Sequence, residues 1–205
     1  MERDGIGYIS PKFTPEDFGK LNLSLQSPVE EWEKGIKIFK DRIESRYFAP
    51  IETMLANHDL IEINGFAVMA LNCLLVDTFY QFREPDNTYS IGRRRERHRR
   101  GNGECYANFL LTNFPFDFDS DSARYFYTDI RCGILHSAQT KNGSQLTYDK
   151  SYVVEIFDDD KIRVDIVNFT NRMKGYYSSY LMKLEQGDIE IRKAFIKQMK
   201  KICRE

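Results

Sequence analysis

A mainly α-helical domain, with one small β-hairpin placed before its last two helices, is the fold class that this sequence predicts. Three observations carry it. Apolar residues recur at three- and four-residue steps through 28–55, 65–83, 122–142 and 173–202, the spacing of one face of a helix. Between Tyr152 and Ile166 the period falls to two, as in a pair of strands. Gly and Pro, which interrupt helices, gather in residues 1–26. The 205 residues fit a single domain over 1–205 with a substantial core. It divides into an irregular N-terminal arm (1–26), core helices (27–142), the hairpin (150–167) and two C-terminal helices (170–203).

In the arm, Gly5, Gly7, Pro11, Pro15 and Gly19 exclude a long helix, and the alternation of Leu21, Leu23 and Leu25 predicts a short strand. Ser27-Pro28-Val29-Glu30 reads as a capping box with Pro at the first helical position. Val29, Trp32, Ile36, Phe39, Ile43 and Tyr47 then form one apolar stripe, with Glu30 to Lys34 and Glu33 to Lys37 as ion pairs on the wet side. Pro50 should kink or end this helix, residues 51–55 adding another turn or two. Residues 65–83 are apolar nearly all round, which marks the central helix of a bundle. Asn72 and Asp77 are its exceptions, and Asp77 is either a satisfied core acid or part of a site.

A short helix is expected over 104–113, ended by Pro115 and the acidic run that follows. Ser122 reads as the N-cap of a helix over 122–142, with Ala123, Phe126, Tyr127, Ile130, Ile134 and Leu135 on its apolar side. The hairpin turns at Asp158-Asp159-Asp160-Lys161, whose carboxylates lack EF-hand spacing. Met173, Tyr177, Tyr180, Leu181 and Leu184 mark a helix that stops at Gly187. Another starts at Asp188 and buries Ile191, Phe195, Met199 and Ile202.

A formal charge of −1 and a pI near 6.3 exclude a protein that coats nucleic acid generally, so any such contact is local. The first ten residues lack the basic-then-apolar layout of a secretory signal, and the longest greasy run, 66–76, is too short to span a bilayer. A soluble, cytoplasmic protein without a membrane partner is expected. Cys73, Cys105, Cys132 and Cys203 show no C-x-x-C or clustered His spacing, so neither a metal, a cofactor nor a disulfide framework is expected.

Against that background Arg131 and His136 stand out, a cation and an imidazole inside an otherwise apolar helix. Imidazole changes charge near neutral pH and guanidinium is a fixed fork of donors for phosphate oxygens, so the two suit phosphoryl chemistry. The spacing alone decides little, because Arg93 and His98 repeat it in a run without apolar periodicity. That run supplies Arg93, Arg94, Arg95, Arg97, Arg99 and Arg100, either an RNA phosphate-binding patch or a plain connector. Five residues subtend about 140° on an ideal helix, so Arg131 and His136 do not share a face. Arg's reach, or a distortion at Gly133, has to make up the difference. Asp129 and Cys132 lie nearer His136 in angle, although Asp129 is about 10 Å up the axis.

The stretch Arg131-Cys132-Gly133-Ile134-Leu135-His136, late in a helical core, resembles the Arg-x(4–6)-His signature of the HEPN superfamily. The wider run from Ile130 to Gly143, with the greasy helix of 65–83 before it, is similar to bacterial HEPN-like proteins over roughly residues 28–142. The resemblance implies a HEPN-like helical bundle, a homodimer and a metal-independent endoribonuclease, in toxin or phage-defence systems with a cognate antitoxin or defence partner. Arg131 and His136 would then be catalytic, with Asp77, Asp129 and Cys132 in support. Active members commonly carry a polar residue after the arginine, where this chain has Cys132. Two other readings stand beside it: a catalytically inactive HEPN-like module that binds RNA or a partner protein, and a helical interaction domain with no nucleic-acid role. In the purely structural alternative, Arg131 pairs with a core carboxylate such as Asp77 and His136 makes a helix-end hydrogen bond.

Overall fold

The apolar stripes of the sequence become buried helix faces in the computed structural model, which describes residues 2–3, 6–57, 60–86, 101–158 and 160–204. Two-residue strands β1 (Glu2–Arg3) and β2 (Ile6–Gly7) pair antiparallel ahead of α1 (Pro15–Lys20) and α2 (Val29–Ile43). A π-helical turn (Glu44–Phe48) joins α2 to α3 (Ala49–Leu55), and α4 (Ile61–Arg83) follows. After α5 (Asn102–Asn113), one helical run consists of α6 (Ser120–Tyr125), a second π-helical turn (Phe126–Arg131) and α7 (Cys132–Ser137). Strands β3 (Gln145–Thr147), β4 (Val154–Phe157) and β5 (Lys161–Asp165) precede α8 (Ile166–Gln186) and α9 (Ile189–Ile202). The fold is mainly helical with a small three-stranded sheet.

Helix α4 runs through the middle, touching α3, α5, α8 and α9. Its Val68, Met69, Leu75, Val76, Phe79 and Phe82 are wholly buried. Around its C-terminal half the rings of Phe39, Phe82 and Phe195 interlock at centroid distances of 4.7 to 5.9 Å, edge-on or tilted as aromatic quadrupoles prefer. A second cluster, with Phe126 stacked on Phe169 at 4.8 Å, ties the second π-helical turn to α8. By length and composition α4 suffices to cross a bilayer, unlike the shorter run read from the sequence, and 56% of its most apolar stretch is buried in the bundle. One stripe of it faces outward, with Ile63 73% exposed and Phe66 and Leu74 also exposed.

Several boundaries differ from expectation for local reasons. Leu21–Leu25 is no strand: Thr14 and Asp17 form a capping box that starts α1, and Asn22 takes a left-handed φ of 47° that interrupts extended chain. Ser27 does not cap α2, because its hydroxyl accepts the Ser24 amide at 2.9 Å, and Pro28 becomes the N-cap without a side-chain bond. On the wet face of α2 Lys34 reaches Glu31 rather than Glu30. Pro50 neither ends nor breaks the helix; the π-helical turn just before it has wider i to i+5 bonding, where an α-turn would push a carbonyl into the proline ring.

The expected hairpin forms, with Val154 opposite Val164 and Phe157 opposite Lys161. Strand β3 was not foreseen: it pairs parallel with β5, making β5 central in the order β3-β5-β4. Helix α8 begins four residues earlier than expected, since the buried Asp165 at the strand end caps it by accepting the Asn168 amide at 2.8 Å. Gly187 closes α8 at a φ of 85°, and Asp188 caps α9, as the sequence led one to expect.

Candidate functional site

The helical run carrying Arg131 and His136 starts two residues before the expected cap. Asp119 is the N-cap, and Ser122 is its reciprocal partner three residues on. The run also ends early, at Ser137 rather than near Asn142, because Ala138 turns into the left-handed region at a φ of 52°. The chain then folds back over the helix so closely that a Cβ on Gly133 would sit 2.4 Å from the Gln139 carbonyl oxygen. Gly133 therefore permits a close approach of two backbones rather than distorting the helix.

What holds the folded-back segment is Asp129. Wholly buried, its carboxylate accepts hydrogen bonds from Asn142 Nδ2 at 2.8 Å and Ser144 Oγ at 3.1 Å, while its carbonyl accepts the Lys141 amide. Ser144 Oγ in turn accepts the Ile162 amide of β5. Asp129 thus ties the helix to the sheet, and no contact brings it to His136. Its satisfied network is what a buried carboxylate requires.

Arg131 reaches from the end of the second π-helical turn toward α4. Its NH2 donates to Asp77 Oδ2 at 3.0 Å, and both side chains are mostly buried. Its NH1 lies 3.5 Å from His136 Nε2, so the reach of the arginine side chain closes the angular gap. The buried Nε of Arg131 has no hydrogen-bond partner among the described residues. Burial disfavours the guanidinium charge, but the adjacent Asp77 carboxylate outweighs it and raises the Arg131 pKa above its ordinary value. The Tyr127 ring lies beneath the guanidinium, 5.6 Å from centroid to Cζ. Burial, then the neighbouring Cys132 thiol, raises the Tyr127 pKa. Below them Tyr106 and Cys73 are fully buried, and burial pushes the Cys73 thiol up to about 12.

His136 itself is exposed in the last turn of α7, with the Arg131 contact its one hydrogen-bond partner among the described residues. The structure thus brings together Asp77, Arg131, Cys132 and His136 and leaves Asp129 in a separate network. Arg93, Arg94, Arg95, Arg97, Arg99 and Arg100, and with them His98, lie outside the described residues. Tyr127 entered the sequence reading only as a core position; its place four residues before Arg131 is the spacing of helix neighbours, the signal available for it. Gly103 of α5 carried no signal, yet a Cβ there would meet the Tyr127 ring at 2.9 Å, so it lets the start of α5 close against the site. Compared with protein-family models, curated proteins and solved structures, the chain matches none.

Proposed function

We propose that this protein is a HEPN-like, metal-independent endoribonuclease of the cytoplasm, acting as a toxin or phage-defence effector under the control of a cognate antitoxin or defence partner. The observation that carries the reading is the 3.5 Å approach of Arg131 NH1 to His136 Nε2 at an exposed helix end, with Asp77 anchoring the guanidinium from behind. Attack of a ribose 2′-hydroxyl on the adjacent phosphorus needs a base for the hydroxyl proton, an acid for the leaving 5′-oxygen and a cation for the phosphorane. His136 moves the protons and Arg131 stabilises the charge. The products are a 2′,3′-cyclic phosphate and a 5′-hydroxyl.

One chain offers a single imidazole for two proton transfers, and a homodimer supplies the second. Support for a dimer near this site comes from α4, where exposed Ile63, Phe66 and Leu74 fall within about 80° of Asp77 around the helix. A second copy laid on that stripe would cover an apolar surface and meet the Asp77–Arg131 pair at its end. In this reading the arginines of 93–100 hold RNA phosphates.

A second reading, a catalytically inactive HEPN-like module that binds RNA or a protein, is favoured by the Asp77 ion pair, which already neutralises Arg131. RNA cleavage separates the two. Under the nuclease reading, His136→Ala and Arg131→Ala each lower cleavage by about 10²- to 10⁴-fold while retaining helical circular dichroism, and the parent cleaves in the presence of a chelator. A parent that cleaves no RNA, or a His136→Ala protein as active as the parent, leaves the binding module in its place.

A further inference from the structure

On the other side of α4 from Asp77 lies a cleft of about 360 Å³ between the C-terminal ends of α4 and α5 and the middle of α8. Its size falls in the range of small-molecule sites. Among the described residues three cations line it, Arg83, Arg172 and Lys183, and no acidic one does. Arg172 is held from outside by a bidentate contact to Asp117, at 2.7 and 3.0 Å, and Arg83 donates to Asn113 Oδ1 at 3.2 Å. Both guanidiniums are thereby fixed while keeping other N–H groups for a ligand. Lys183 is exposed and makes no ion pair among the described residues.

Two further observations point to an occupant. The Tyr176 hydroxyl is buried at the cleft wall beside the Arg83 guanidinium, which can only donate to it, and among the described residues nothing accepts its O–H, a costly arrangement unless something else does. Its ring is fixed against Phe79 and Phe109 at 5.1 and 5.0 Å. Burial, partly offset by the nearby Arg83 charge, pushes its pKa up to about 12, so it remains an O–H donor at neutral pH. Gly175, the residue before it, sits inside the 21-residue helix α8, where Gly costs about 1 kcal/mol relative to Ala. A Cβ there would meet nothing within 4 Å, so protein packing does not require the glycine. It leaves the cleft wall bare for close approach.

We infer that this cleft binds a small phosphate monoester, its phosphate held by Arg83, Lys183 and the Tyr176 hydroxyl and its organic part lying along Gly175. Separate donors from α4 and α8 match a dianion with three free oxygens better than a carboxylate with two. The site is distinct from the Arg131–His136 pair and binds a ligand of its own.

Calorimetric titration of the full chain with AMP, adenosine and inorganic phosphate tests this. AMP should bind at one site, inorganic phosphate should compete with it, and adenosine should bind at least about tenfold more weakly, the worth of a charge-assisted contact. Tyr176→Phe and Lys183→Gln should each weaken AMP about tenfold or more. Gly175→Leu should abolish binding without lowering the melting temperature, because it fills the cleft while improving helix propensity. His136→Ala, which removes an exposed side chain, should leave AMP affinity unchanged, which keeps this test separate from the nuclease assay. No AMP binding at millimolar concentration, adenosine binding as tightly as AMP, undiminished binding by the Gly175→Leu or Tyr176→Phe protein, or loss of binding in His136→Ala would each overturn the assignment.

Discussion

Removing Asp77 strands the Arg131 guanidinium against α4. At 3.0 Å and an effective dielectric of about 20 the gross attraction of the pair is about 5.5 kcal/mol. Desolvation of the two charges offsets most of it, so the intact pair contributes little net stability. Truncating one partner is different, because it leaves an uncompensated charge, typically at a loss of about 3 to 5 kcal/mol. The Arg131 side chain keeps 16% exposure and its NH1 faces the exposed His136, which puts Asp77→Leu at the lower end, about 3 kcal/mol. For a chain of this size that lowers the melting temperature by about 6 to 12 °C. The double variant Asp77→Leu, Arg131→Met removes both charges and should be more stable than Asp77→Leu alone. Thermal melts followed by circular dichroism read all three proteins. A single variant melting within about 2 °C of the parent, or a double variant that loses the sum of the two singles, would refute the coupling.

Gly133→Ala should destabilise by about 1 to 3 kcal/mol in urea melts despite better helix propensity, since its Cβ meets the backbone of Gln139, Thr140 and Lys141; a neutral variant would mean the turn shifts freely. Replacing Arg93, Arg94 and Arg95 with Ser should flatten the salt dependence of single-stranded RNA binding by about 0.7 in slope per lost phosphate contact, and an unchanged slope marks the segment as a connector. The parent should scatter light as a dimer at micromolar concentration, and Phe66→Asp with Leu74→Asp should convert it to a monomer. A monomeric parent with full nuclease activity would remove the dimer from the mechanism.

Long amphipathic stretches were legible because they are decided by their own spacing. The stripes of α2, α8 and α9 and the near-uniform apolarity of α4 depend on few outside partners, and Asp77 stood out as a carboxylate among Leu, Val and Phe. Features that depend on distant backbone were not legible. Nothing about Ala138 announces a left-handed residue, and Asp129 looks like any helix acid until the chain returns over it with Asn142 and Ser144. Strand β3 has only three residues, too few for alternation to register, and takes its order from β5. Ser27 carried a valid capping signal, but Ser24 competed for the same hydroxyl. For the Arg131–His136 pair, sequence supplied both residues and the angular problem, while the solution lay in side-chain reach and in an anchor on another helix.

The wide turn from Phe126 to Arg131 has a consequence for how this helix can be compared with others. Such a turn holds one residue more than an α-turn, which shifts everything after it by about 100° of helical phase. Steps of four residues drift by about 40° each in an α-helix; the wider turn absorbs that drift, and Phe126, Ile130 and Ile134 are all buried. A chain one residue shorter here, with the turn closed to α, would keep the upstream core and swing the guanidinium and imidazole away from α4. Residue count between Phe126 and Cys132 sets their aim, so an alignment that slips by one position at this turn would pair the arginine with the wrong neighbour.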